Sequence, residues 1–120
     1  MPQKRETRLL GNKAEDFAVS FITSKGYKVL VRNFHSRFGE IDIIAVDNDT
    51  LVFVEVKARW SNKFGTPEEA VTQGKLWKIQ KTGEYYSKIH PELPKKLRVD
   101  VVAIQIDNGQ IVTSKIIKVY

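Results

Sequence analysis

The chain has 120 residues, 42% hydrophobic and 28% charged, with a formal net charge of +6, a profile of one folded domain spanning 1–120 rather than a disordered segment. It carries no cysteine and two histidines, which excludes disulfide frameworks, thiolate zinc sites and cysteine nucleophiles and leaves little for a histidine-based centre. No apolar run approaches the roughly 20 residues of a membrane helix and MPQKRETR lacks a signal-peptide core, so a cytoplasmic protein without membrane contact is expected.

Residues 8 to 25 place Leu10, Ala14, Phe17 and Phe21 on one arc at helical spacing, and Gly26 follows as a stop. Glu15 falls at the border of that arc, beside Ala18 and Ile22. There it is either a solvated acid paired with a lysine or a carboxylate at the rim of whatever the helix covers. Residues 27 to 35 (YKVLVRNFH) read as a strand, with Arg37-Phe38-Gly39 turning into the next. Residues 40 to 47 (EIDIIAVD) and 51 to 58 (LVFVEVKA) are rich in Ile and Val and flank Asn48-Asp49, residues that tolerate the positive φ of a tight turn. They predict a hairpin. Ile41, Ile43, Ala45, Val52, Val54 and Val56 should form one face, and Ile44, Val46, Leu51 and Phe53 the other.

After residues 59 to 65, Thr66-Pro67-Glu68-Glu69 predicts a helix start with Thr66 as N-cap, running to about Lys88. Lys75 and Lys78 share an arc with Val71, Ile79, Thr82, Tyr85 and Ile89. One lysine is expected to project across the sheet, while Lys78 reads better as a stem packed with its ammonium in water. Pro91 and Pro94 separate this helix from a strand over residues 97 to 106, and Asp107-Asn108-Gly109 turns into a last strand over 111 to 119. The expected class is α/β, in the order α-β-β-β-α-β-β, with a mixed central sheet flanked by helices.

The chemistry concentrates in the hairpin. With Asn48-Asp49 as a two-residue loop, Asp47 faces Thr50, Asp42 faces Glu55 and Glu40 faces Lys57, all four charged groups on one face. Like charges directly opposed destabilise a sheet unless a cation lies between them. Mg²⁺ or Mn²⁺ fits, because hard ions take oxygen ligands and retain waters. Asp42 and Glu55 are then the direct ligands, with the main-chain carbonyl of Val56 beside them and Glu15 joining through water or at a second ion. Lys57 would orient the attacking water or stabilise the phosphate, and Glu40 is either an ion-pair partner of Lys57 or part of the metal set. Basic residues are spread along the chain, as solvated lysines or as phosphate contacts. Arg32, Arg37, Arg59, Lys75 and Lys78 are the expected nucleic-acid contacts, and DNA the expected partner.

Gly11-Asn12-Lys13-Ala14-Glu15, Gly26-Tyr27-Lys28-Val29-Leu30, Arg32-Asn33, Gly39-Glu40-Ile41-Asp42, Val52-Phe53-Val54-Glu55-Val56-Lys57, Glu69-Ala70-Val71 with Lys75, and Arg98-Val99-Asp100-Val101-Val102 together resemble the YraN-type family of small uncharacterised bacterial proteins. That family is similar in turn to the PD-(D/E)xK restriction-endonuclease-like nucleases and to archaeal Holliday-junction resolvases. Here Ile41-Asp42 replaces the superfamily's Pro-Asp. The resemblance implies a restriction-endonuclease-like core, a metal site at Glu15, Asp42, Glu55 and Lys57, accessory roles for Lys75 and Asp100, and a homodimer by analogy with the resolvases. For Asp100 the alternative is an acid at a strand start paired with Arg98. Two functions are expected to compete: a metal-dependent endonuclease acting on DNA, with branched or damaged structures as its candidate substrates, and a non-catalytic nucleic-acid binding or scaffolding module on the same fold. A protein adaptor using Trp60, Phe64 and Trp77 is a third, although these aromatics read better as core or rim packing.

Overall fold

The computed structural model describes residues 4–59 and 71–119, with 4–12 as helix backbone alone. The order is α1 (Lys4–Ser24), β1 (Lys28–Ser36), β2 (Gly39–Asp47), β3 (Thr50–Arg59), α2 (Gln73–Ile89), β4 (Lys96–Asp107) and β5 (Gln110–Lys118). The five strands lie in chain order in one sheet. Only β3 and β4 run parallel, and α2 is their crossover. This is the expected α/β class and order, compatible with a restriction-endonuclease-like core.

Each helix covers one face, as a sheet apolar on both sides requires. On α1, Ala14, Ala18 and Ile22 recur every fourth residue and bury against Ile43, Ala45, Val52, Val54, Val102 and Ile104. The buried arc is therefore turned from the expected one. Phe17 and Phe21 pack at its margin, 5.8 Å apart, because two alanines let the helix lie closer to the strands than aromatics would. Gly26, at φ +96°, ends α1, and the N–H of Tyr27 reaches back to the carbonyl of Ile22 at 3.0 Å.

On α2, Ile79, Thr82, Gly83 and Tyr86 are buried, over Ile41, Ile44, Leu51, Phe53 and Val99. Tyr85 and Ile89, expected in the buried arc, are 37% and 48% exposed. A Cβ on Gly83 would run into the ring of Phe53, so the glycine sets how near helix and sheet approach. α2 begins at Gln73 with Thr72 as N-cap, its backbone extended. The helix is thus not continuous from Thr66, and that predicted start, like Trp60 and Phe64, lies outside the described residues.

Asp47 faces Thr50 across Asn48-Asp49, with Asn48 at φ +55°. The β2–β3 register is the expected one from there to Ile43 opposite Val54. Ile41, however, packs with the α2 face while Ile43 packs with the α1 face, against the expectation of a shared side. Alternation is broken between them, where Asn33 of β1, at φ +55°, lies between the pairs Arg32–Ile43 and Phe34–Ile41. The residue at the break in β2 is Asp42.

Candidate metal centre

At Asp42 the β2 chain stops running as a regular strand beside β3, and its side chain takes over the contact. Oδ2 of Asp42 accepts a hydrogen bond from the Val56 N–H at 2.8 Å. Asp42 and Glu55 are consequently not a ladder pair, as the hairpin count expected; the carboxylate of Asp42 lies against the main chain just past Glu55. Burial, then the negative charge of Glu55, pushes the Asp42 carboxyl up to about 6, and the bond from Val56 only partly opposes this. The charge of Glu15 adds to the rise and that of Lys75 reduces it.

Glu55 is 5% exposed on the central strand. Its Oε1 lies 2.8 Å from Nζ of Lys75, the lysine that reaches across from α2. The geometry begins one turn away in sequence. Oγ1 of Thr72 accepts from the Lys75 N–H at 3.1 Å, fixing the first turn of α2 and with it the root of that side chain. Burial, the largest single influence, works against charge on Lys75, but the hydrogen bond to Glu55, the charge of Glu55, the contact with Lys57 and the charge of Asp42 together outweigh it and its pKa is raised. The Lys57 ammonium faces Lys75; burial first, and then Lys75, lowers its pKa. Two carboxylates and two ammonium groups are thus gathered where β2 and β3 part.

Glu15 faces the same region from α1 but is engaged. Its Oε1 accepts from Nε of Arg32 at 3.2 Å and from Nδ2 of Asn33 at 3.1 Å. Glu40 pairs with His35 across the hairpin, Oε2 to Nδ1 at 3.0 Å, and not with Lys57 as the count suggested. Asp100 stands apart. Fully buried, it accepts from Nε of Arg98 at 2.7 Å and from the Tyr27 hydroxyl at 2.6 Å, while Nη2 of Arg98 also reaches Asp47 at 2.8 Å. Asp100 pairs with Val54 in the β3–β4 ladder and Val54 faces α1, so its side chain leaves the sheet away from Glu55. The Arg98 pairing, not an accessory place at the site, is what the structure displays.

Among the described residues, no three His, Cys, Asp or Glu side chains gather as a ready-made metal cage. The donor set still suits a hard divalent ion, which commonly binds through one or two carboxylates and keeps its waters. Two close carboxylates, one of them holding its proton up to about pH 6, form a place where added positive charge is stabilised.

Residues 14–104 match the family model described as uncharacterised protein family UPF0102. The chain belongs to that family. A UPF0102 protein of Syntrophomonas wolfei is 42% identical over 113 residues, covering 94% of this chain and 98% of the relative. One of Caldicellulosiruptor bescii is 48% identical over 105 residues, 87% and 88% of the two chains, and one of Persephonella marina 45% identical over 98 residues, 82% and 84%. The YraN-type resemblance is this membership.

The expected phosphate contacts of this UPF0102 chain divide. Arg32 is engaged at the surface by Asp16, at 2.7 Å, and by Glu15, its side chain 40% exposed. Lys75 is committed to Glu55. Lys78 is exposed and lines a groove of about 730 Å³ between the β1–β2 turn and the start of α2, together with Lys75, His35 and Glu40. Arg37 lies over the ring of Phe38, its guanidinium carbon 4.9 Å from the centroid. The charge of Arg59 acts on Lys57, and its Nε is buried with no partner among the described residues. Trp77, expected in core or rim packing, is 58% exposed with Lys81 above it at 5.7 Å. No helix among the described residues is long and apolar enough to cross a membrane. Sequence reasoning passed over Thr72, Phe38 and the Tyr27–Arg98–Asp47 links. The Thr-Gln-Gly-Lys run at Thr72 is a cap signal masked by the stronger-looking one at Thr66, and a phenylalanine at the tip of a two-residue turn is itself a sign of exposure.

Proposed function

We propose that this chain is a metal-dependent endonuclease hydrolysing phosphodiester bonds in DNA, cytoplasmic, with Asp42 and Glu55 as the carboxylates that hold Mg²⁺ or Mn²⁺ and the Val56 carbonyl beside them. The observation that carries this reading is the Asp42 carboxyl, buried against Glu55 and raised to about 6, on a chain whose net charge of +6 favours a polyanion. When bound, such an ion supplies a water of lowered pKa and positive charge toward the phosphoryl oxygens.

The chain's own groups do the rest. Lys57, with its pKa lowered by burial and by Lys75, orients the attacking water or offers its ammonium to the transition-state phosphate, where charge develops. Lys75 holds Glu55 in position from α2. Glu15, through Arg32 and Asn33, braces the bend that turns Asp42 toward β3, and its negative charge acts on Asp42. A homodimer, bringing two such sites to one branched substrate, belongs to the same proposal.

Plasmid, single-stranded and four-way-junction DNA incubated with the pure protein and Mn²⁺ test it, with Glu55→Ala alongside. Cutting by the wild type that the variant lacks is expected, and equal cutting by both rejects the reading. Salt-sensitive binding that survives Asp42→Asn and Glu55→Gln, without metal-dependent cutting, replaces it with a non-catalytic binding module.

A further inference from the structure

The groove lined by Lys75, the lysine that meets Glu55, leads away from the metal centre along α2. It shares His35 and Ser36 with a second hollow walled by Arg37, Tyr85 and Ile89, so the two hollows adjoin along α2, from its start to its last turns. Phe38 stands at this far end, on the tip of the turn where Ser36 pairs with Gly39. It is 41% exposed and Tyr85 37%, and their rings lie 5.4 Å apart at 53°. Arg37 lies over the outer ring.

An exposed aromatic pair would suit a protein partner if its surroundings were apolar alone. Beside Phe34 and the half-exposed Ile89 they also carry cations, Arg37 on the ring and Lys78 in the groove, against one acid, Glu40, which His35 meets at 3.0 Å. Flat aromatic surface beside a basic trough is what a single nucleic-acid strand needs, with phosphates along the charge and a base on the ring. Ten residues of helix separate Lys75 from Tyr85, about 15 Å at roughly 1.5 Å per residue. That is a few nucleotides of one strand.

We infer that Phe38 and Tyr85 form a stacking platform for an unpaired base a few nucleotides from the scissile phosphate, making the substrate DNA with a single-stranded stretch, such as a flap, a gap or an open junction arm, rather than intact duplex. The inference rests on the reading of the Asp42–Glu55 site as facing DNA. In a duplex both faces of each base are covered by its neighbours, so only an exposed base offers a surface to the rings.

Fluorescence anisotropy in EDTA, where no cutting is needed, separates this from the nuclease reading. A duplex carrying a short single-stranded flap is compared with the fully paired duplex, for wild type, Phe38→Ala, the Phe38→Ala/Tyr85→Ala double variant, Phe38→Trp and, as a surface control, Val112→Ala. Circular dichroism of each variant confirms folding, and the single alanine change serves if the double one is misfolded. The platform predicts a loss of at least about fivefold for the flap substrate in the alanine variants, less than about twofold for duplex, and retention by Phe38→Trp and Val112→Ala. Equal losses on both DNAs, or no loss on the flap, overturn it; the latter leaves the rings to a protein partner. Flap preference lost in the alanine variants, in a protein that cuts nothing, keeps the platform and removes the nuclease.

Discussion

Lys75 and Glu55, twenty residues apart in sequence and on different elements, meet at 2.8 Å, the lysine 42% and the glutamate 6% exposed at the side chain. The lysine supplies the positive charge that two neighbouring carboxylates require, and it does so from a helix terminus anchored by Thr72.

Replacing Lys75 by Met should therefore destabilise the metal-free protein by about 1–2 kcal/mol, less than a fully buried pair would lose because water reaches the ammonium. Mn²⁺ should restore most of that loss. Urea unfolding of wild type and Lys75→Met, in EDTA and in Mn²⁺, measures both effects. A deficit in EDTA that the metal leaves untouched would remove the shared-charge explanation.

Asp42 gives a pH prediction with a definite sign. Its folded pKa is raised from 3.8 to about 6, so ionisation opposes folding. The penalty is absent below about pH 4, grows between 4 and 6 and is complete above that. At about 1.4 kcal/mol per unit it reaches about 3 kcal/mol. Asp42→Asn, which retains an oxygen for the Val56 N–H, should be the more stable protein at pH 7.5 without metal and match wild type near pH 4. Protons and Mn²⁺ should also compete, with metal affinity falling below pH 6. A stability difference that is the same at both pH values contradicts the shift.

Arg98 joins Asp100, Asp47 and Tyr27 on the face opposite Glu55. Arg98→Leu strands a fully buried carboxylate and should cost about 3–5 kcal/mol, read as a drop in urea midpoint. Metal binding by the protein that remains folded should be unchanged, since this cluster and the centre leave the sheet on different sides. A loss under about 1 kcal/mol, or weakened Mn²⁺ binding, would return Asp100 to the site.

Gly83→Ala forces a methyl group into the Phe53 ring and should cost about 1–3 kcal/mol. Phe53→Leu in the same chain should recover part of it. If the two changes simply add in thermal unfolding, the helix does not owe its seating to this contact.

The order of elements and the hairpin register were legible because Ile and Val alternate around two turns marked by Asn48 and Asn108, both at positive φ. Asp42, Glu55 and Lys57 were legible for the same reason, as positions counted from a turn, and Lys75 from its place on the arc of α2. What spacing did not carry was the break at Asp42. It depends on Asn33 of the neighbouring strand adopting a left-handed conformation, which no periodicity within β2 records, and it sent Ile41 to the other face. The α1 arc was misjudged because hydrophobicity draws it from Ala14 toward Phe17 and Phe21, whereas close helix–sheet approach favours the small Ala18 and turns the arc from Ala14 toward Ala18 and Ile22. Asp100 is a tertiary matter: Tyr27 lies 73 residues away, and its hydroxyl has no local signature.

The third of five strands has partners on both edges and a helix over each face. Amide protons of its middle, from Val52 to Val54, should accordingly be among the slowest in the protein to exchange with solvent, and those of β1 and β5 among the fastest. Glu55 is planted next to the part of the molecule that opens last, so the outer strands can fray and re-form while the geometry around it persists.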